Sequence, residues 1–130
     1  MSKKPALSRA KKRAWTAMSK YIRLRGAVNG MTKCVTCGVV KDYRDMDAGH
    51  FIPKSRGNAI YFEEENVHPQ CPGCNRFHEG NKHNYTLFMI DTYGREKIDE
   101  LEQLACTTVK YTVDDYLEIE REYKERLEQL

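Results

Sequence analysis

The sequence predicts an α+β fold, and three observations support that prediction. Two Cys-x-x-Cys pairs, Cys34 with Cys37 and Cys71 with Cys74, stand on either side of a segment with strand-like composition. Helical periodicity precedes the first pair and follows the second. At 130 residues the chain has the length of one domain with a modest hydrophobic core. We therefore expect a small cysteine-bound unit of two strands with helices on both sides.

Basic side chains are concentrated in the first third of the chain. Residues 1–41 contain eleven Lys and Arg and no Asp or Glu, whereas residues 42–130 carry a net charge of −8. A positive end of this kind attracts a nucleic-acid backbone. The alternative is a solvated basic helix that only keeps the protein soluble. The candidate DNA contacts in this segment are Lys11, Lys12, Arg13, Lys20 and Arg23.

Composition argues against a membrane protein. The mean hydropathy is −0.75, and no apolar run approaches the roughly 20 residues that cross a bilayer. No apolar signal core follows the basic first residues. We therefore expect no membrane partner and a reducing cytoplasm, where closely spaced cysteines bind metals more often than they form disulfides.

The first predicted helix begins at Ser8, whose side chain can cap it, and it runs to about Arg25. Its residues Trp15, Met18 and Ile22 recur at helical spacing. They predict one apolar stripe that packs against the core.

Residues 46–52 and about 58–68 have the composition of two strands. The loop between them contains turn residues and two bases, Lys54 and Arg56. A Pro-Gly pair lies inside the second cysteine pair, and we expect a helix to begin just after it, near Cys74.

Three more helices are predicted towards the end of the chain. Asn84 can cap the first, Gly94 separates it from the second, and Thr112 opens a capping box for the third. The third helix either packs on its own domain or pairs with a second copy in a homodimer. Its apolar stripe consists of Tyr116, Ile119, Tyr123, Leu127 and Leu130.

The two cysteine pairs predict a structural zinc site. Four thiolates satisfy Zn²⁺ in a tetrahedron, and a two-residue gap lets both sulfurs of a pair reach one ion. Such a site has no open position for chemistry, and it supplies stability that a small core lacks. The alternative is a set of free core thiols. Cys106 lies outside the pattern, and we expect it to be an ordinary buried thiol.

A structural zinc does not explain three polar residues of the same region. His50 follows a glycine in the first predicted strand, and its imidazole is a natural general base near neutral pH. Asn66, at the end of the second predicted strand, is placed to orient that imidazole across the hairpin. The side-chain oxygen of Asn75 suits Mg²⁺ or Mn²⁺, which favour oxygen ligands. These are the parts that phosphodiester hydrolysis requires.

These residues resemble known families. His50, Asn66 and Asn75, interleaved with two cysteine pairs, resemble the HNH (His-Me finger) nucleases, whose core is a ββα-metal fold. More closely, the strings DAGHFI, FEEENVHPQCPGCNRF and GNKHNY resemble the NinG (Rap) recombination proteins of lambda-type phages. That resemblance covers about residues 30–130. The Cys-Asn junction at position 74 is also similar to that of the endonuclease VII type of Holliday-junction resolvase.

The resemblance implies a zinc-stabilised ββα-metal core at residues 31–84. A basic N-terminal helix at residues 1–30 and C-terminal helices at residues 85–130 flank it within one compact domain. The implied activity is structure-specific cleavage of branched DNA, such as Holliday junctions and D-loops, during phage recombination. Branched or double-stranded DNA and other recombination proteins are the implied partners, in the cytoplasm of the bacterial host. The implied cofactors are a structural Zn²⁺ and a catalytic Mg²⁺ or Mn²⁺.

The resemblance also assigns roles to single residues. His50 would be the general base, Asn75 a ligand of the catalytic ion, and the four cysteines the zinc ligands. The sequence departs from the HNH pattern at Gly49, where that pattern has a metal-binding Asp or His. We expect Asp47, two residues earlier on the same strand face, to be the acidic ligand, with a turn or surface carboxylate as the alternative. His78, one helical turn after Cys74, is a further candidate ligand, with a solvent-facing histidine as the alternative.

Other side chains near the predicted site have weaker assignments. Lys54, Arg56 and Arg76 are candidate phosphate contacts or plain surface charges. His68 has the strand parity of Asn66 and is either a DNA contact or a structural histidine.

Two alternatives to a nuclease stay open at this stage. The first is a zinc-containing DNA-binding recombination protein without catalysis, whose binding would survive His50→Ala. The second is a recombination adaptor that works through its C-terminal helix, which removal of residues 112–130 would inactivate.

Overall fold

The computed structural model describes residues 3–130; Met1 and Ser2, which begin the predicted basic segment, lie outside them. The described residues form an α+β fold, which confirms the predicted class. The helices are α1 (Leu7–Leu24), α2 (Asn58–Tyr61), α3 (Lys82–Tyr93), α4 (Arg95–Ala105) and α5 (Val113–Glu128). The strands are β1 (Met31–Lys33), β2 (Val40–Asp42), β3 (Asp47–His50) and β4 (Val67–Gln70), paired as β1–β2 and β3–β4.

Helices α1 and α5 pack along one another, and α1 covers one side of the β3–β4 hairpin, where Tyr123 of α5 joins the same core cluster. The predicted stripe of α1 is confirmed, since Met18 and Ile22 are fully buried and Trp15 is half-buried. The prediction that Ser8 caps this helix is wrong. The helix begins one residue earlier, and Ala6 before it makes no side-chain cap.

The predicted capping box of α5 is confirmed. The Thr112 hydroxyl accepts a hydrogen bond from the Asp115 amide at 3.1 Å, and the Asp115 carboxylate accepts one from the Thr112 amide at 2.8 Å. Tyr116 and Tyr123 of this helix are buried. The first part of the apolar stripe therefore packs on its own domain, whereas Leu130 at its end is 60% exposed.

The β3–β4 hairpin is shorter than predicted. β3 pairs with β4 from Asp47 opposite Gln70 to His50 opposite Val67. Residues 58–61, expected to be strand, form α2 instead, because its apolar side chains are needed in the core formed with α3 and α4. The helix expected near Cys74 is a π-helical turn, Gly73–Phe77.

Two further predictions near α3 and α4 are corrected. Asn81 rather than Asn84 precedes α3, and the Asn84 side chain donates to the Asn81 side-chain oxygen at 3.0 Å. Cys106 is exposed rather than buried, because α4 ends at Ala105 and the chain turns away there. Gly94 separates α3 from α4 with φ +87°, as the sequence predicted.

None of the helices in residues 3–130 combines the length and the apolar character that crossing a membrane requires.

Candidate metal centre and cleft

The four predicted zinc ligands converge at one point. β1 and β2 present Cys34 and Cys37 on the turn that joins them, and β4 leads directly into Cys71. The four sulfurs lie within 4.8 Å of one another, and all but Cys37 are buried. The Sγ atoms of Cys37 and Cys71 are 3.7 Å apart.

This geometry fits a tetrahedral zinc ion. Zn–S bonds of about 2.3 Å in a tetrahedron place neighbouring sulfurs about 3.8 Å apart. The sulfurs also receive the hydrogen bonds that orient ligands of this kind. The Cys74 amide faces Cys71 Sγ at 3.5 Å, and the Asn81 side-chain amide faces Cys74 Sγ at 3.5 Å. The described residues therefore offer a closed structural metal site.

A cleft beside this centre gathers many of the other predicted site residues. It lies where α1 crosses the β3–β4 hairpin, and its volume is about 690 Å³. Its walls carry three basic residues, Arg23, Lys54 and Arg76. The lining residues are Trp15, Ser19, Arg23, Met46, Asp47, Ala48, His50, Pro53, Lys54, Asn75, Arg76, Glu79 and Gly80.

His50 is held in the cleft in one tautomer. Its Nε2 lies 2.9 Å from the backbone carbonyl oxygen of Tyr61. A carbonyl only accepts hydrogen bonds, so Nε2 carries the hydrogen, and Nδ1 keeps a lone pair that can take a proton. This is the arrangement that a general base requires.

Two aromatic rings enclose the His50 imidazole. Trp15 stacks on it with ring centroids 4.9 Å apart and planes 24° apart, and Tyr61 meets it edge-on at 5.1 Å. Burial lowers the pKa of His50 to about 4, against the opposing hydrogen bond to Tyr61 and with a smaller contribution from the charge of Lys54. The imidazole is therefore neutral at pH 7.

Asp47 and Asn75 meet on the opposite wall of the cleft. The Asn75 side-chain amide donates to Oδ2 of Asp47 at 3.0 Å. Arg76 donates to both carboxylate oxygens, at 2.8 and 2.7 Å. Burial alone would raise the pKa of the Asp47 carboxyl, but the hydrogen bonds from Arg76 and Asn75 outweigh it and hold that pKa below its usual range.

These two side chains fit a divalent cation with few protein ligands. A carboxylate has about four lone-pair sites, and Oδ1 of Asp47 accepts one hydrogen bond among the described residues. Oδ1 of Asn75 accepts no hydrogen bond from any of the described residues. Mg²⁺ commonly binds through one or two carboxylates and keeps several waters.

Gly49 stands where the HNH pattern has an acidic ligand, and the structure gives a reason for the glycine. A Cβ atom added there would lie 1.9 Å from Oε1 and 2.7 Å from Cδ of the fully buried Gln70. The Gln70 amide group is fixed by hydrogen bonds to the Gly80 carbonyl at 2.8 Å and the Thr36 hydroxyl at 3.2 Å. The space in front of Gly49 is therefore already filled.

Asn66 lies outside the cleft and does not contact His50. Its buried side chain accepts from the Ile52 amide at 2.8 Å and donates to the Ile52 and Ile60 carbonyls at 3.0 and 3.3 Å. It closes the loop between β3 and β4. The prediction that Asn66 orients the imidazole is corrected, because the Tyr61 carbonyl makes that contact.

The predicted residues that remain lie away from the cleft. His78 is exposed and is not one of the lining residues. His68 is buried, with its ring nitrogens 2.9 Å from the Tyr85 hydroxyl and 2.7 Å from the Tyr93 hydroxyl, so it has a structural role. The remaining candidate DNA contacts also lie outside the cleft: Arg56, Lys11, Lys12, Arg13 and Lys20.

Sequence reasoning missed three contributors to the cleft. Trp15 was assigned to the core, although Trp15, Ser19 and Arg23 at i, i+4 and i+8 mark a mixed face of one helix. The Tyr61 backbone carbonyl leaves no sequence signal. Glu79 also lines the cleft, in a left-handed conformation with φ 51°, and nothing in its local pattern singled it out.

The sequence matches a known protein family over nearly its whole length. A profile of the family described as "Bacteriophage Lambda NinG protein" matches residues 2–130, which include the four cysteines and every residue of the cleft. The chain therefore belongs to the NinG family.

Curated relatives agree with this assignment. The chain is 30% identical to "Protein ninG" of Escherichia phage lambda over 119 residues, which is 92% of this chain and 56% of the relative. It is 29% identical to "Protein ninG" of Salmonella phage P22 over the same length, with the same shares covered. The chain thus spans little more than half the length of these relatives. No solved structure matches it.

Proposed function

We propose that this protein is a metal-dependent DNA endonuclease of the HNH (His-Me finger) type that cuts branched recombination intermediates. One observation carries the proposal. A neutral histidine with one ring nitrogen fixed by a backbone carbonyl shares a basic cleft with an Asp47–Asn75 pair. Hairpin β3–β4 and the turn that follows it supply all three side chains, in the order of a ββα-metal unit.

The chemistry assigned to His50 is the activation of water. Nδ1 of His50 takes a proton from a water molecule, and the hydroxide formed attacks the phosphorus of a phosphodiester. The bond from phosphorus to the 3′ oxygen breaks, and that oxygen leaves with the electron pair. A bound phosphate brings negative charge close to the imidazole, which raises the pKa of His50 towards the range in which a base is effective.

The divalent cation would be held by Asp47 and Asn75. When bound there, Mg²⁺ or Mn²⁺ would supply positive charge that stabilises the departing oxygen. The site has few protein ligands, because the cysteines are the single group of three or more His, Cys, Asp or Glu within 4.8 Å in the described residues. Positions for water and substrate oxygens are therefore open.

The basic side chains of the cleft would hold the substrate backbone. Arg23 approaches from α1, Lys54 from the loop after β3, and Arg76 from the turn after the second cysteine pair. The Arg76 side chain is 62% exposed while it pairs with Asp47, so it is accessible to a substrate phosphate. A phosphate that drew Arg76 away would leave Asp47 free for the cation.

Branched DNA is the substrate that the resemblance to NinG (Rap) recombination proteins assigns. Holliday junctions and D-loops present duplex arms at fixed angles, and a basic helix beside the cleft suits a duplex backbone. The same resemblance implies the cytoplasm of the bacterial host as the place of action.

A second candidate function is zinc-dependent DNA binding without catalysis. The bidentate contact between Arg76 and Asp47 favours it, because it occupies both carboxylate oxygens that a divalent ion would use. This candidate predicts binding to branched DNA that no divalent ion converts into cleavage.

The test compares cleavage of four-way junctions, D-loops and linear duplex by zinc-loaded protein. The reaction is run first without added divalent ions and then with Mg²⁺ or Mn²⁺, because a chelator would also strip the zinc. We expect nicking only after addition, and its loss in Asp47→Ala. The matched control is Asp91→Ala, on the exposed face of α3. No nicking of any substrate by the wild type would refute the nuclease assignment.

A further inference from the structure

A groove runs between α1 and α5 on a different side of α1 from the cleft. Its volume is about 430 Å³, and its floor is apolar, formed in part by Ala17 and Leu127. Its rim is basic, with the side chains of Arg9, Lys12, Arg13, Lys20 and Lys124. We call it the α1–α5 groove.

The positive charge of the α1–α5 groove is only partly neutralised. Glu120 is its one lining carboxylate, and it is buried with 7% exposed. Arg13 and Lys124 contact it at 2.8 and 3.1 Å. In the described part of the chain, no carboxylate pairs with Arg9, Lys12 or Lys20. All three are exposed, so their charge is available to an anionic partner.

The spacing of these cations suits a nucleic-acid strand. Arg9 and Lys20 are eleven positions apart on α1, which corresponds to about 16 Å at 1.5 Å per residue. One DNA strand carries a phosphate about every 3.4 Å of helix axis. The basic rim is therefore as long as a run of about five phosphates.

The groove and the cleft lie on neighbouring faces of one helix. Trp15, Ser19 and Arg23 face the cleft, whereas Lys12 and Lys20 face the groove. The groove is lined on α1 by Arg9, Lys12, Arg13, Thr16, Ala17 and Lys20. At 100° per residue the centre of this whole set lies about a quarter-turn from the centre of the cleft-facing set. The two lining sets share no residue, so the groove is a surface distinct from the cleft.

We propose that the α1–α5 groove is a second DNA phosphate-backbone site, which holds a segment of the substrate away from the scissile phosphate. This inference rests on the proposed function for the identity of the ligand. The groove needs no divalent ion, because lysine and arginine side chains contact phosphates directly. It adds affinity and orientation, and it leaves the chemistry of the cleft unchanged.

The test measures binding of fluorescent DNA by anisotropy, with zinc-loaded protein and no Mg²⁺ or Mn²⁺, across a range of salt concentrations. The variant is Lys12→Gln/Lys20→Gln. The matched control is Arg95→Gln/Lys110→Gln, which removes two exposed charges that do not line the groove. Circular dichroism melting checks that both variants fold.

We expect the slope of log affinity against log salt to fall by about two in the groove variant, one for each lost phosphate contact, and to stay unchanged in the control. A short linear duplex and a four-way junction distinguish the source of the phosphates. A loss on both substrates places the flank of the same duplex in the groove, and a loss on the junction alone places a second arm there.

Equal slopes for the groove variant and the control would overturn the inference. That failure differs from failure of the proposed function. A wild type that binds with the expected slope but never cleaves refutes the nuclease and leaves the groove intact. A wild type that cleaves while the groove variant binds like the control refutes the groove alone.

Discussion

Replacement of Gly49 by alanine tests the close packing of the hairpin beside His50. The new Cβ would lie 1.9 Å from Oε1 of Gln70, so the Gln70 side chain must move. Movement breaks its hydrogen bonds to the Gly80 carbonyl and the Thr36 hydroxyl. Each bond contributes about 1 kcal/mol net, so we expect Gly49→Ala to lower the free energy of unfolding by about 2 kcal/mol.

The assay is urea unfolding at fixed excess zinc, followed by circular dichroism. A lower midpoint with an unchanged m-value reports lost stability rather than an altered unfolded state. Gly26→Ala is the matched control, because no heavy atom lies within 4 Å of its added Cβ. We expect the control to change stability by less than about 0.5 kcal/mol.

A double-mutant cycle shows whether Gln70 is the cause. In a Gln70→Ala background the obstructing atoms are gone, so Gly49→Ala should cost less than about 0.5 kcal/mol. The reasoning is refuted if Gly49→Ala is harmless on its own, or if it costs the same with and without the Gln70 side chain.

Three further predictions concern zinc, Trp15 and His68. Removal of zinc by a chelator, or Cys34→Ser, should unfold the β1–β2 region, seen as collapsed amide dispersion in NMR spectra; an unchanged spectrum would contradict a structural zinc. Trp15→Ala should raise the pKa of His50 from about 4 towards 6.5, since burial causes the depression; an NMR titration that still gives about 4 would contradict this. Burial, with a smaller contribution from Arg25, lowers the pKa of His68 to about 3. The unfolded chain therefore takes up this proton first, and stability should fall as pH drops from about 6.5 towards 3, by at most about 1.4 kcal/mol per pH unit for this group. His68 resonances that titrate near pH 6.5 in the folded protein would disprove the last prediction.

The sequence predicted the parts of the structure that depend on local spacing. The cysteine pairs converge because a two-residue gap fixes both sulfurs of a pair on one turn. The capping box at Thr112 and the break at Gly94 follow from the backbone chemistry of single residues. The shared site of Asp47, His50 and Asn75 was predicted from the HNH resemblance rather than from local spacing. All three line one cleft, and their catalytic roles stay predictions.

The parts that failed depend on long-range contacts. Residues 58–61 have strand composition but fold as α2, because Ile60 is buried against residues of α3 and α4 that no local pattern reveals. The hydrogen-bond partner of His50 is a backbone carbonyl. Every residue has one, so no residue type in the sequence indicates this contact. The absence of a side chain at position 49 is explained by Gln70, which fills the space in front of Gly49 from the neighbouring strand.

The central claim is that His50 is the base of a nuclease, and single-turnover cleavage tests it most directly. Zinc-loaded wild type, His50→Ala and the surface control His83→Ala are mixed with a labelled four-way junction and Mn²⁺, and strand nicking is followed on denaturing gels. We predict that His50→Ala nicks at least about 100-fold more slowly while it binds the junction as tightly as the wild type. Nicking by His50→Ala at the wild-type rate would contradict the account.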